Sequence, residues 1–350
     1  MAARSKALDG ARGCGFLLVL LAHIDPARFM VGGVLGVGFF FVLSGYLITQ
    51  QAVRSTGMLE YYRRRFQRIL PLLYLYLCLN ALVAVALGHS MRGYGWHFAF
   101  MSDWLSSWNL APKTGGVVGH LWTIAIEAQF YLVWPVILAI AGPKRIYVLL
   151  ALIGGAILWR MLVGDAYLAT MTLPARIDAF AAGGLAAIAA HRKWRAPTLI
   201  AGAVAVSYAI ISVPISQFAQ PTGWSSAAPS MLAGMAAAFA ALVSILAEVQ
   251  PRALEYRPLT WAGERAYSLY IWHVPLLLAA EKIPLSPAFR LVLGVAATLG
   301  VAWLSHIWIE AKFTELIDRA WRDWSARKSA AVDPVQSLLA GVELHKREAA

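Results

Sequence analysis

The sequence predicts an all-α fold, a polytopic membrane helix bundle with about ten transmembrane helices and both termini in the cytoplasm. Three observations predict it. Of the 350 residues, 60% are hydrophobic and only 14% charged, with mean hydropathy +0.63, which is far from the balance of a soluble domain. Apolar stretches able to cross or nearly cross a bilayer recur near residues 8–24, 31–50, 69–88, 119–141, 146–163, 174–190, 198–215, 227–247, 266–281 and 290–309. Most of the 30 Lys and Arg fall in alternate connections: Arg4 and Lys6; Arg54 and Arg63 to Arg68; Lys144 and Arg145; Arg192 to Arg195; Arg252 to Arg265; and the stretch after Glu310. The positive-inside rule puts those connections in the cytoplasm, so the net charge of +12 reflects topology. A nucleic-acid partner is not expected, because no basic face is backed by a soluble fold.

Each segment carries its own signal. The first begins with basic residues but shows no small-residue cleavage site, so it reads as an uncleaved helix, short for a hydrocarbon core of roughly 30 Å and ended by Pro26. Gly36, Gly38, Ser44 and Gly45 in the second allow close helix packing. Arg63, Arg64, Arg65 and Arg68 anchor the start of the third. The loop from Gly88 to Gly119 holds Trp96, Asp103, Trp104, Trp108 and Asn109, a composition that suits a sugar-binding surface and an interfacial belt alike. In the fourth, His120, Thr123, Glu127 and Tyr131 recur every three or four residues and form a polar stripe. Arg160 lies within the fifth, Arg176 and Asp178 open the sixth, and Tyr267, Ser268, Tyr270 and His273 sit in the ninth. Glu310 closes the tenth and is expected to pair with an Arg. Beyond it, Trp321 and Trp324 among Arg and Lys suggest an interfacial helix and then a polar tail, which divides the chain into 1–315 and 316–350. Cys14 and Cys78 support neither a disulfide framework nor a metal site.

The most telling pair is Arg12 and His23. Eleven positions apart, they are separated by close to three helical turns, so they share a face at a spacing of roughly 16 Å. Ionisable groups within a span are costly and usually functional.

These residues carry a family resemblance. LDGARGCGFLLVLLAH at 8–23, GVGFFFVLSGYLIT at 36–49, YYRRRFQRILPLLY at 61–74, HLWTIAIEAQFYLVWP at 120–135, RIDAFAAGGLAA at 176–187 and ERAYSLYIWHVPLL at 264–277 follow in order. Over residues 7 to 315 the chain resembles the acyltransferase 3 family of bacterial membrane O-acyltransferases, with Arg12 and His23 on that family's first-helix Arg and His. The resemblance implies transfer of an acyl group, commonly acetyl from acetyl-CoA or another acyl-CoA, to a hydroxyl of an extracytoplasmic carbohydrate, from the cytoplasmic (inner) membrane. Cys14 and Gly15 depart from the larger residues frequent in the family and should loosen packing there.

Roles follow for the candidate residues. Arg12 is expected to hold the nucleotide end of the donor through its planar fork of hydrogen-bond donors, with Arg65 and Arg68 on one helix face as further donor-binding groups. His23 is expected to act on the thioester, as general base or as transient acyl carrier. Glu127 is expected to approach His23 and orient its imidazole. Asp9 reads as a helix cap or a partner of Arg12. Arg176 and Asp178 read as an acceptor vestibule or an entrance ion pair, and His120, Tyr270 and His273 as further substrate contacts. The acceptor is expected to be an exopolysaccharide, a lipopolysaccharide or another envelope sugar, with a small secreted glycoside as the alternative. A lipid or sugar flippase would share the intramembrane charges, but the inverted repeats usual in transporters are not visible in the sequence. A non-catalytic scaffold would have little use for the Arg12 and His23 pair. The sequence does not speak to oligomeric state.

Overall fold

A computed structural model describes residues 5–53, 57–105, 116–165, 167–192 and 228–327. Among them every regular element is helical: α1 (Lys6–Ile24), α2 (Pro26–Val53), α3 (Met58–Ala86), α4 (Gly95–Phe98), α5 (Trp122–Ala141), α6 (Arg145–Leu162), α7 (Leu173–His191), α8 (Ala228–Val249), α9 (Arg257–Glu264), α10 (Ala266–Glu281) and α11 (Pro287–Ser305). The last continues through a π-helical turn, His306–Ala311, so that Pro287–Arg327 is one helical run.

Seven helical runs are long and apolar enough to cross a membrane, and the chain is a multi-pass membrane protein. The described residues do not reach the expected count of about ten, for three reasons. One run, Gly119–Leu162, is divided at Gly142, whose backbone has φ +51°; α10, with 16 residues, is short for a span; and the stretch 198–215 lies outside the described residues.

Capping and packing explain the arrangement. Ser5 caps α1 by accepting a hydrogen bond from the Leu8 amide at 3.2 Å, and its hydroxyl donates to Gln250 at 2.7 Å, tying the start of α1 to the end of α8. Asp9 is therefore not the cap but the partner of Arg12, at 3.4 Å. After α1 the chain reverses at Asp25, which accepts from the Arg28 amide at 3.2 Å and starts α2.

Helix α2 runs through the middle, against α1, α7, α8 and α5. Its contact with α7 is backbone to backbone. A Cβ on Gly183 would stand 2.0 Å from the Val42 carbonyl oxygen, and one on Gly45 would stand 2.1 Å from that of Phe180. Phe41, Phe180 and Phe130 stack across this seam, with Phe130 and Phe180 centroids 3.9 Å apart, and the buried Trp134 donates to Thr49 at 2.9 Å. Gly36 likewise admits the Gly15 carbonyl, whereas Gly38 meets only the side chains of Met235 and Phe239.

The C-terminal run makes contact with the start of α3. Arg63 of α3 pairs with Asp318, and its guanidinium lies 5.3 Å from the Trp321 ring. Asp318 and Trp321 are thus held against the start of α3, and the polar tail, 328–350, lies outside the described residues.

Candidate active site

A cavity of about 1030 Å³ opens at the end of the bundle that carries Ser5, Gln51 and Arg322. The elements that surround it each contribute polar groups for a visible reason. Helix α1 presents Arg12 from the same face as Asp9; α2 ends in Gln50 and Gln51; α3 turns its Arg65 and Arg68 face inward; and α5 contributes Thr123, Glu127 and Tyr131 at helical spacing. The four arginines of α3 have separate fates. Arg63 and Arg64 are held by Glu60 at 2.7 and 2.5 Å. Arg65 donates to Gln51 and lies between the rings of Tyr61 and Tyr131, at 5.8 and 5.3 Å, with its Nε buried and unpartnered among the described residues. Arg68 has no hydrogen-bonding side chain against it among the described residues and lies near enough to Arg12 for the two charges to repel. Five arginines, Arg12, Arg64, Arg65, Arg68 and Arg322, line the cavity together with six carboxylates, Asp9, Glu127, Glu264, Glu310, Glu315 and Asp318. Arg12 is held by Asp9 and Arg64 by Glu60, while Arg65, Arg68 and Arg322 make no ion pair among the described residues and are the cations open to a phosphate.

Glu127 offsets part of that charge. It accepts from Ser44 at 2.6 Å and from the Tyr131 hydroxyl. The expected pairing of Glu127 with His23 is not formed: the carboxylate sits one to two helical turns from His120 along α5, on the arginine side, and its hydrogen bonds are spent there.

His23 does not line this cavity. Its Nδ1 faces the Val19 carbonyl at 2.9 Å, and its exposed ring meets His273 edge-on, centroids 4.7 Å apart. His273 in turn lies 5.2 Å from Tyr270 and 5.7 Å from His120. Tyr270 belongs to both regions. Its hydroxyl donates to the His120 carbonyl at 2.7 Å and joins Thr123 at 2.6 Å, and both Tyr270 and Thr123 line the cavity. A hydrogen-bonded Thr123–Tyr270 pair therefore forms the inner end of the cavity, with His273, His120 and His23 directly beyond it. Arg12 and His23, on one face of α1, stand on the two sides of this partition.

The profile of the acyltransferase domain matches residues 5–307. The chain belongs to the acyltransferase 3 family. It is similar to the peptidoglycan O-acetyltransferase OatA of Listeria monocytogenes, 27% identical over 87% of this chain and 54% of that protein. It is also similar to the O-acetyltransferase OatA of Staphylococcus aureus, 24% identical over 95% of this chain and 61% of the relative. The chain thus spans between half and two thirds of the length of these relatives. No solved structure matches it.

In this acyltransferase 3 chain, two sequence-predicted groups lie away from the cavity. Arg176 and Asp178 do not pair with each other. Asp178 binds Arg160 at 2.8 Å, while Arg176 donates to the Thr170 carbonyl at 2.6 Å, all buried. Burial of both Arg176 and Asp178 argues against an open vestibule at that point. Asp103 is fully buried against Gln129, at 2.8 Å, so it is no part of a sugar-binding surface. Trp96 is exposed, and Trp108 and Asn109 lie outside the described residues.

Other cavity residues escaped the sequence reading. Ser44, read as a packing residue, holds Glu127. Gln50, Gln51 and Gln250 are neutral amides at helix ends and give no periodic signal. Glu310 does not pair with an Arg: it accepts from Ser268 and faces His306 Nδ1 at 3.2 Å. The π turn that brings it there is a backbone feature with no sequence signature beyond a carboxylate in an apolar run.

Proposed function

We propose that this chain transfers an acyl group, acetyl in the simplest case, from acyl-CoA to a hydroxyl of a cell-envelope carbohydrate. The observation that carries the reading is the partitioned site: a cavity of about 1030 Å³ whose mixed lining of arginines and carboxylates includes Arg12, Arg65 and Arg68, closed by Thr123 and Tyr270, with histidines on the far side. The volume suits an extended coenzyme. Arg12, Arg65 and Arg68 bind the phosphates from the cytoplasmic mouth, and the acyl thioester points at Tyr270. His23 acts as general base. Its Nδ1 proton is held by Val19, which leaves the Nε2 lone pair for the acceptor hydroxyl. Passage of the thioester to His23 requires the Thr123–Tyr270 hydrogen bond to open. The printed names of the relatives, peptidoglycan O-acetyltransferase among them, support an acceptor in the cell wall. Exopolysaccharide and lipopolysaccharide sugars offer the same hydroxyl chemistry.

The test uses the full chain in lipid nanodiscs with labelled acetyl-CoA and lysozyme-solubilised peptidoglycan as acceptor. The expected result is label transfer that His23→Ala abolishes while the protein stays folded. Arg68→Ala is expected to raise the acetyl-CoA KM roughly tenfold or more, in keeping with the loss of a charge-assisted hydrogen bond. Full transfer by His23→Ala would exclude the reaction as drawn.

A further inference from the structure

Three histidines beyond the partition share one hydrogen-bonding habit. His23 Nδ1 faces the Val19 carbonyl at 2.9 Å, His273 Nδ1 the Tyr270 carbonyl at 2.7 Å, and His120 Nε2 the Ile271 carbonyl at 3.2 Å. A carbonyl only accepts, so in each ring the nitrogen facing it carries the proton and the other nitrogen is left as a lone pair. The two freed nitrogens of the buried rings, His120 Nδ1 and His273 Nε2, have no partner among the described residues. Buried polar atoms are normally satisfied, and the two buried rings here each offer an acceptor with no donor against it among the described residues.

The surroundings narrow what could satisfy them. The walls are aromatic, with Phe16 5.8 Å from His273 and Tyr76 5.9 Å from His120, and Glu127 is committed to the other side of the partition. An anion would face lone pairs, and no group of three or more His, Cys, Asp or Glu among the described residues is disposed to hold a metal ion. What the site lacks is a neutral hydrogen-bond donor.

We propose that the free nitrogens of His120 and His273 seat hydroxyl groups of the carbohydrate acceptor, so that these two residues position the alcohol that His23 deprotonates. The inference rests on the acyl-transfer reading above. The acceptor enters beside the exposed His23 ring, one of its hydroxyls reaching His23 and a neighbouring hydroxyl donating to the buried pair. In the step that follows, the hydroxyl oxygen bonds to the acyl carbon, the thioester C–S bond breaks, and sulfur leaves as the coenzyme thiolate. The hydroxyl proton passes to imidazole and from there to the thiolate.

The experiment compares His120→Phe and His273→Phe, which keep a ring and lose the lone pair, with His120→Asn and His273→Gln, whose amide oxygens fall near the freed nitrogens. KM is measured separately for acetyl-CoA and for lysozyme-solubilised peptidoglycan. Each Phe variant is expected to raise the acceptor KM by about tenfold or more, with the acetyl-CoA KM held within about twofold, and the amide variants are expected to recover most of the loss. Unchanged acceptor KM in the Phe variants, or equal loss in the Phe and amide variants of both residues, would overturn the proposal. Because the two residues are tested separately, misfolding at one leaves the other decisive. Failure of the acyl-transfer reading itself is distinguishable, since it would show as no transfer from acetyl-CoA by the unaltered protein.

Discussion

At the scale of single residues, the most consequential ion pair is one the cavity does not use. Arg160 and Asp178 meet at 2.8 Å with both side chains almost wholly buried, and Arg160 also donates to the Ala175 carbonyl at 2.5 Å. Breaking such a pair leaves a charge stranded, which costs about 3–5 kcal/mol, whereas replacing both partners with apolar side chains is often close to neutral. Arg160→Leu is therefore expected to lower the melting temperature in detergent sharply, and Arg160→Leu with Asp178→Leu to restore most of it. A second residue-scale effect lies in the segment between α3 and α5. Burial pushes the Asp103 carboxyl up to about 7 from its ordinary 3.8, and burial pushes the His97 imidazole down to about 4 from 6.5. A raised carboxyl pKa means that the folded chain holds the proton more tightly, so this group's contribution falls as pH climbs from about 4 to about 7. The depressed imidazole works the other way, losing stability as pH falls from about 6.5 towards 4. The two slopes oppose each other. Asp103→Asn should unmask the histidine, so that its stability relative to the unaltered protein rises with pH across that window; a pH-independent difference in melting temperature would count against the buried acid.

At the scale of elements, the seam between α2 and α7 fixes the centre of the bundle. Gly183→Ala would place a methyl group 2.0 Å from a backbone carbonyl, where no flexible side chain can yield, and overpacking of this kind costs roughly 1–3 kcal/mol or more. The expected outcome is a destabilised protein, whereas Gly154→Ala, where a Cβ meets nothing within 4 Å, should be neutral or slightly stabilising in a mid-helix position; equal melting temperatures would refute the packing argument. The helices themselves were legible in the sequence because apolar length alone marks a span, and the Arg12–His23 and Arg65–Arg68 faces were legible because helical periodicity is a local property. The partners were not. That Glu127 turns to Ser44, Asp178 to Arg160 and Glu310 to Ser268 depends on contacts across 83, 18 and 42 positions of sequence, which no periodicity encodes. The same holds for the meeting of His23, His120 and His273, each readable alone as a polar residue in an apolar helix.

At the scale of the whole molecule, the two approaches to the site make sense only if they open on opposite sides of the membrane. The arginine-lined mouth lies beside the basic starts of α1 and α3 and the C-terminal helix, which carries Arg319, Arg322 and Arg327, so the positive-inside rule predicts that this end faces the cytoplasm, as the proposed acyl-CoA donor requires. On that prediction His23 and the segment with Trp96 are expected to face the outside, where the proposed wall acceptor would be found. This orientation is a property of the entire chain, since reversing it would expose both approaches to the wrong substrates. It can be read directly. With Cys14 and Cys78 replaced by Ser, a single cysteine at Glu315, by the arginine-lined mouth, is expected to resist a membrane-impermeant maleimide in intact cells and to react after permeabilisation. A single cysteine at Ser90 should react in both. The reverse pattern would place the donor cavity outside, and with it the arginines would have no coenzyme to bind.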